Sequence, residues 1–220
     1  SNEQKHNIKK NVSALFLHKV GAAFVNTIDN LVISTFMGLV ILSNYGNYYY
    51  LLSAITSIIT IAFTALTAGI GNVIITSNRI IIKKYFDTIL YINGIIVAIC
   101  TICFFSMYQD FITLWVGSRY LFGFDTMILF CMYFFIHTIR RTIIMYRDAA
   151  GMWVDNKWQP IVSSIINLIL NVLLINIIGI NGILLSTIIS MIFIDMPWEA
   201  KALMRKLFAE STLLYFAKIT

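Results

Sequence analysis

The residues that invite chemistry in this chain lie inside apolar stretches, where ionisable and amide side chains are costly. The stretch from Val12 to Phe36 is interrupted by His18, Lys19, Asn26, Asp29 and Asn30. On a helix, Lys19, Asn26 and Asn30 fall within about 40° of one another, with His18 and Asp29 bordering them. Such a stripe faces a bundle interior or a water-filled cavity. Asp29 sits about 15 Å along the axis from Lys19, too deep to reach the interface on that side and too far for a direct pair. A carboxylate at that depth pairs with a cation, holds a sodium ion or carries a proton. Asp29 is therefore the candidate for coupling to H+ or Na+, and its polar neighbours Asn26 and Asn30 are candidate substrate-binding residues. The alternative is structural: Lys19 and His18 snorkel, and the asparagines join helices.

A second group gathers charge. Tyr133, His137, Arg140 and Arg147 share one helical face, with Arg141 adjacent. Guanidinium groups offer a planar fork that matches phosphate oxygens, so Arg140, Arg141, Arg147 and His137 are candidates for an anionic ligand group. Ordinary anchoring at a membrane interface is the alternative, including contacts to anionic lipid headgroups. Two further stripes are neutral and polar. Ser164, Asn167 and Asn171 form one; Ser53, Thr56, Ser57, Thr60, Thr64, Thr67 and Gly71 form the other. Each fits either close helix packing or a cavity wall, and Asn167 and Asn171 join the candidate binding residues.

Other motifs carry less. Cys100-x-x-Cys103 lies in an apolar run without a histidine or a second pair, and Cys131 is equally isolated, so neither metal nor redox chemistry is expected. There is no P-loop, and Gly69-x-Gly71 lacks the rest of a dinucleotide fingerprint. Asp87, Asp110, Asp148 and Asp155 are scattered, and no pair has the spacing of a membrane transferase metal site. The expectation is a chain that is not an enzyme and needs no cofactor.

The elements that position these groups are membrane helices. Hydrophobic residues make up 59% of the 220 and charged residues 12%, half the usual charged share. Six apolar blocks are predicted as spans: 12–36, 48–75, 86–107, 122–145, 161–178 and 180–196, with a cytoplasmic or interfacial tail at 198–220. Pro160 opens the fifth, Gly179-Ile180-Asn181-Gly182 makes a tight turn into the sixth, and Pro197 is expected to close the sixth. Fifteen of the sixteen basic residues fall in the N-terminal segment, the second and fourth loops, and the tail; only Arg119 does not. Six spans place all four segments on one side, which the positive-inside rule makes cytoplasmic. The expected fold is an all-α polytopic bundle with both ends inside. Basic residues clustered beside apolar blocks argue against nucleic acid as a partner. The polar segment Ser1 to Asn11 does not read as a signal peptide.

Several stretches in order resemble a known family. Asp29-Asn30-Leu31-Val32-Ile33-Ser34, Gly38-Leu39 and Tyr45-Gly46-Asn47-Tyr48 are similar to the opening of the second half of bacterial polysaccharide flippases. These export O-antigen and exopolysaccharide repeat units and belong to the multidrug/oligosaccharidyl-lipid/polysaccharide transporter superfamily. Thr67-Ala68-Gly69-Ile70-Gly71-Asn72 resembles the end of that family's next helix, and Tyr146-Arg147-Asp148-Ala149-Ala150-Gly151-Met152-Trp153 its segment after the fourth. Pro160 and the hairpin from Asn167 to Gly182 also fit. Gly46 stands where serine is expected. The resemblance implies the C-terminal half of a transporter in the bacterial cytoplasmic membrane, partnered by an N-terminal half. It further implies an undecaprenyl-pyrophosphate-linked oligosaccharide as ligand, among membrane lipids. An ion-coupled drug exporter and a membrane glycan polymerase or ligase are the competing expectations. The polymerase or ligase usually needs a larger outer loop than 109–121.

Overall fold

A computed structural model describes residues 12–13, 15–16, 19–21, 27–154 and 156–208. The fold is an all-α bundle, and no strand occurs among the described residues. Helix α1 is followed over 27–36. Helices α2 (Gly38–Thr76), α3 (Arg79–Trp115), α4 (Phe124–Ile139), α5 (Arg141–Ala149), α6 (Gln159–Ile178), α7 (Ile180–Ser190) and α8 (Met196–Leu203) follow in order. Helices α4 and α5 run on as one broken rod, and α7 continues through α8 to Phe208. Among the described residues, five such rods are long and apolar enough to cross a membrane. The first expected span, 12–36, is helical wherever it is described.

The bundle is apolar on its outside and buries polar side chains beside its apolar core. Ile92, Ile95, Ile96, Ile99 and Ile102 are exposed along α3, whereas Asn93, Asn167, Asn171 and Glu199 are almost fully buried. Water would penalise that arrangement; lipid favours it. The multi-pass membrane protein expected from the apolar blocks is therefore what the chain builds.

The helices depart from the expected boundaries in two places. Helices α2 and α3 contain 39 and 37 residues, about 58 and 55 Å at 1.5 Å per residue, well beyond a hydrocarbon core of about 30 Å. Their additional turns at the Gly38 and Trp115 ends are tied together. The Tyr48 hydroxyl donates to Gln109 Oε1 at 2.5 Å, Tyr108 donates to the Tyr48 carbonyl at 2.6 Å, and Gln109 donates to the Phe122 carbonyl at 3.0 Å. Hydropathy falls at Asn44 and Asn47, but backbone hydrogen bonding continues through them. The second correction concerns Pro197, which does not end the last span. Residues Met191–Asp195 form a π-helical turn in which the Met196 N–H reaches the Met191 carbonyl. This wider turn lets the rod pass the missing proline N–H, and Phe208 packs on Phe86 with ring centroids 5.2 Å apart. Residues 198–208 are thus part of the bundle rather than a tail.

Glycine makes the α6–α7 hairpin possible. Gly179 adopts φ +59° between the two helices, and Gly182 lets α7 lie directly on the backbone of α6, where a Cβ would sit 2.5 Å from the Leu174 carbonyl carbon.

Candidate functional site

Two breaks in helical register create the site. Between α4 and α5, Arg140 has φ −65° and ψ −17°. Buried Asn93 on α3 donates its amide to the carbonyls of Thr138 and Ile139, both at 3.2 Å, and to the Thr142 hydroxyl at 3.3 Å. Carbonyls loosened by the break thereby keep a partner, as a buried backbone requires. Opposite, the π-helical turn before Pro197 sets Asp195 and Glu199, one helical turn apart, toward the arginines.

The charges then lock together. Arg140 holds Glu199 in a two-pronged contact, Nε to Oε2 at 3.2 Å and Nη2 to Oε1 at 3.0 Å, while its Nη1 lies 3.2 Å from Asp195 Oδ2. Arg147 Nη2 and Nε meet Asp148 Oδ1 at 3.0 Å, and its Nη1 approaches Glu199 Oε1 at 3.6 Å. The Arg147 guanidinium also sits 4.9 Å from the Trp153 ring centroid. Gln159 donates to Asp195 Oδ1 at 2.5 Å. Arg141 differs from its neighbours. It pairs with no carboxylate among the described residues, and its Nε is buried without a hydrogen-bond partner.

These groups line a cavity of about 500 Å³. Tyr133 and His137, stacked at 5.5 Å and 12°, form part of its wall. Of the α2 stripe, Ser53, Thr56, Ser57 and Gly71 do not line the cavity, but Thr60, Thr64 and Thr67 do. Their hydroxyls donate to carbonyls four residues back at 2.7–2.9 Å, leaving oxygen lone pairs for a ligand. Lys19 stands at the same cavity.

A second polar cluster adjoins the cavity through Asn167 and Thr187, which line it. Asp29 is buried there. Its Oδ1 accepts from Asn171 Nδ2 at 2.7 Å and its Oδ2 from the Thr187 hydroxyl at 3.1 Å. Asn167 donates to Thr187 Oγ1 at 3.0 Å, Asn171 donates to Asn167 Oδ1 at 3.1 Å, and Ser186 hydrogen-bonds Asn171 Oδ1. Helix α1 thus supplies the carboxylate, α6 the amide N–H and α7 the hydroxyl that donate to it. Among the described residues no group of three or more His, Cys, Asp or Glu side chains is placed to hold a metal ion.

The structure brings His137, Arg140, Arg141, Arg147 and Asn167 to one cavity and Asp29 and Asn171 to the cluster beside it. Asn30 is not brought there: it is exposed, although the helical wheel puts it beside Asp29. Asn26 and His18 lie outside the described residues. Arg140 and Arg147 are present but not open, since carboxylates already fill their forks. Asp195, Glu199, Asn93 and Gln159 were missed by residue-level reasoning. Asp195-x-x-x-Glu199 carried a usable signal, two acids spaced to share one helical face after an apolar run; a lone Asn93 carried none. Comparison with known protein families, curated proteins and solved structures finds no match to this chain.

Proposed function

We propose that this chain forms half of a flippase for a pyrophosphate-linked, isoprenoid-anchored oligosaccharide of surface polysaccharide synthesis. The basic end of the bundle then faces the bacterial cytoplasm. The observation that carries this reading is the intramembrane cavity, whose walls combine hydroxyl and amide groups with a cluster of guanidinium groups. Sugar hydroxyls match Thr60, Thr64, Thr67 and Asn167, and a phosphate oxygen matches Arg141, whose Nε is without a partner. Lys19 adds a second cation at the same cavity. The family resemblance supports the ligand class. Asp29 serves as the ion-coupling carboxylate, because its oxygens sit among amide and hydroxyl partners that can also hold a bound Na+ or follow a proton. No bond is made or broken in the ligand.

Tryptophan fluorescence of the chain in nanodiscs tests the proposal, since Trp153 lines the cavity. A polyprenyl-pyrophosphate disaccharide should quench it saturably. Arg141→Ala should weaken binding by about ten- to a hundredfold, the loss of one charge-assisted phosphate contact. Absence of saturable binding, or equal competition by an apolar cationic drug, would refute the flippase assignment.

A further inference from the structure

Glu199 occupies a position that a ligand phosphate would be expected to take. It is only 2% exposed, yet it lines the cavity rather than the closed core. Its two oxygens fill the Arg140 fork at 3.0 and 3.2 Å, and Oε1 also faces Arg147 at 3.6 Å. A planar fork from one arginine plus a donor from a second is the arrangement that suits an oxyanion. Neither arginine depends on Glu199 alone, because Arg140 keeps Asp195 and Arg147 keeps Asp148.

We infer that Glu199 is a resident carboxylate holding the anion seat of Arg140 and Arg147, and that a ligand phosphate takes this seat by displacing it. The inference rests on the cavity being the seat of a pyrophosphate-linked lipid. Charge around the cavity supports it. Arg140, Arg141, Arg147 and Lys19 face Asp148, Asp195 and Glu199, a nearly balanced set that leaves little net attraction for a multiply charged group while Glu199 remains. Displacing Glu199 uncovers the Nε–Nη2 fork of Arg140 and Nη1 of Arg147, on the cavity that Arg141 also lines. Helix α8, which carries Glu199, is eight residues long, contains Pro197, and lies between two π-helical turns, Met191–Asp195 and Met204–Phe208. Such turns recur at functional positions. Glu199 therefore acts as a specificity device: a weak or singly charged anion does not dislodge it, whereas a pyrophosphate bridging several arginines does.

The test titrates inorganic pyrophosphate and inorganic phosphate into nanodisc-embedded wild-type chain, Glu199→Gln and Glu199→Asp. Glu199→Gln keeps the side-chain size but removes the competing charge, so pyrophosphate should bind about tenfold tighter or better. Its preference over phosphate should also narrow. Glu199→Asp, with a shorter arm that cannot span the fork, should fall between the two and decides the matter if the Gln variant does not fold. Unchanged or weaker binding by folded variants overturns the inference and makes Glu199 a strut. If wild type binds the polyprenyl-pyrophosphate disaccharide without any gain in the variants, only the displacement is wrong. If the variants gain pyrophosphate affinity but wild type does not bind the lipid-linked sugar, the displaceable carboxylate stands and the flippase reading falls. Absence of pyrophosphate binding in all three overturns both.

Discussion

Replacing Gly182 with alanine drives a methyl group into the backbone of the neighbouring helix. The new Cβ would lie 2.5 Å from the Leu174 carbonyl carbon, 2.6 Å from its oxygen and 2.9 Å from the Ile175 nitrogen. These atoms belong to a helix and cannot rotate away, so α7 must retreat from α6 by about 0.9 Å to reach ordinary contact at 3.4 Å. The Asn167–Thr187 hydrogen bond, 3.0 Å in the native hairpin, then opens to about 3.9 Å and is lost. Overpacking of this kind costs about 1–3 kcal/mol, and each lost interhelical hydrogen bond about 0.6 kcal/mol. Higher helix propensity of alanine returns about 1 kcal/mol. The expected net loss is about 0.6–2.6 kcal/mol, read by circular dichroism during equilibrium unfolding of the chain in mixed micelles. Gly46→Ala is the control, because a Cβ there meets nothing within 4 Å; it should leave stability unchanged or raise it by up to about 1 kcal/mol. Equal stability of the two variants would refute the close-contact reasoning. The same experiment bears on function, because Thr187 also binds Asp29.

Three further outcomes follow from the structure and the charge pattern. Asn93→Ala removes the amide that steadies the α4–α5 break, and should cost about 1–2 kcal/mol and weaken pyrophosphate titration through a displaced Arg140; unchanged stability and affinity would show that the break holds itself. Asp29→Asn can keep Oδ1 toward Asn171 and turn its amide to Thr187 Oγ1, which is free to donate to the Ile183 carbonyl at 3.0 Å. It should therefore fold normally while ligand movement by the complete two-half transporter in proteoliposomes loses its dependence on pH or sodium gradients, and a preserved dependence would make Asp29 a purely structural acceptor. Single cysteines placed at positions 83 and 157, in a background without Cys100, Cys103 and Cys131, should label only from the cytoplasmic side, and those at 43 and 118 only from outside; external labelling at 83 would break the proposed orientation.

Local physics made much of this protein readable from its residues. Apolar blocks long enough to cross a bilayer set the all-α membrane class, because a backbone in lipid must satisfy its own hydrogen bonds. The shared face of Tyr133, His137, Arg140 and Arg147 was legible because helical periodicity holds on both sides of the short break at Arg140, and all four reach the cavity. That Asp29 is buried and needs partners was legible from its depth, but that those partners are the Asn171 amide and the Thr187 hydroxyl was not. Tertiary structure decided the rest. A helical wheel tells which residues share a face but not which face turns inward, so it could not leave Asn30 outside while burying Asp29. Ion pairing is a matter of approach in space: Arg140 and Glu199 stand 59 positions apart in the chain, and only the folding of α8 back against α5 makes the carboxylate the arginine's partner. Pro197 read as a terminator because its missing N–H usually stops a helix; packing of residues 198–208 against the bundle makes a π-helical turn the better solution and carries Glu199 into the site.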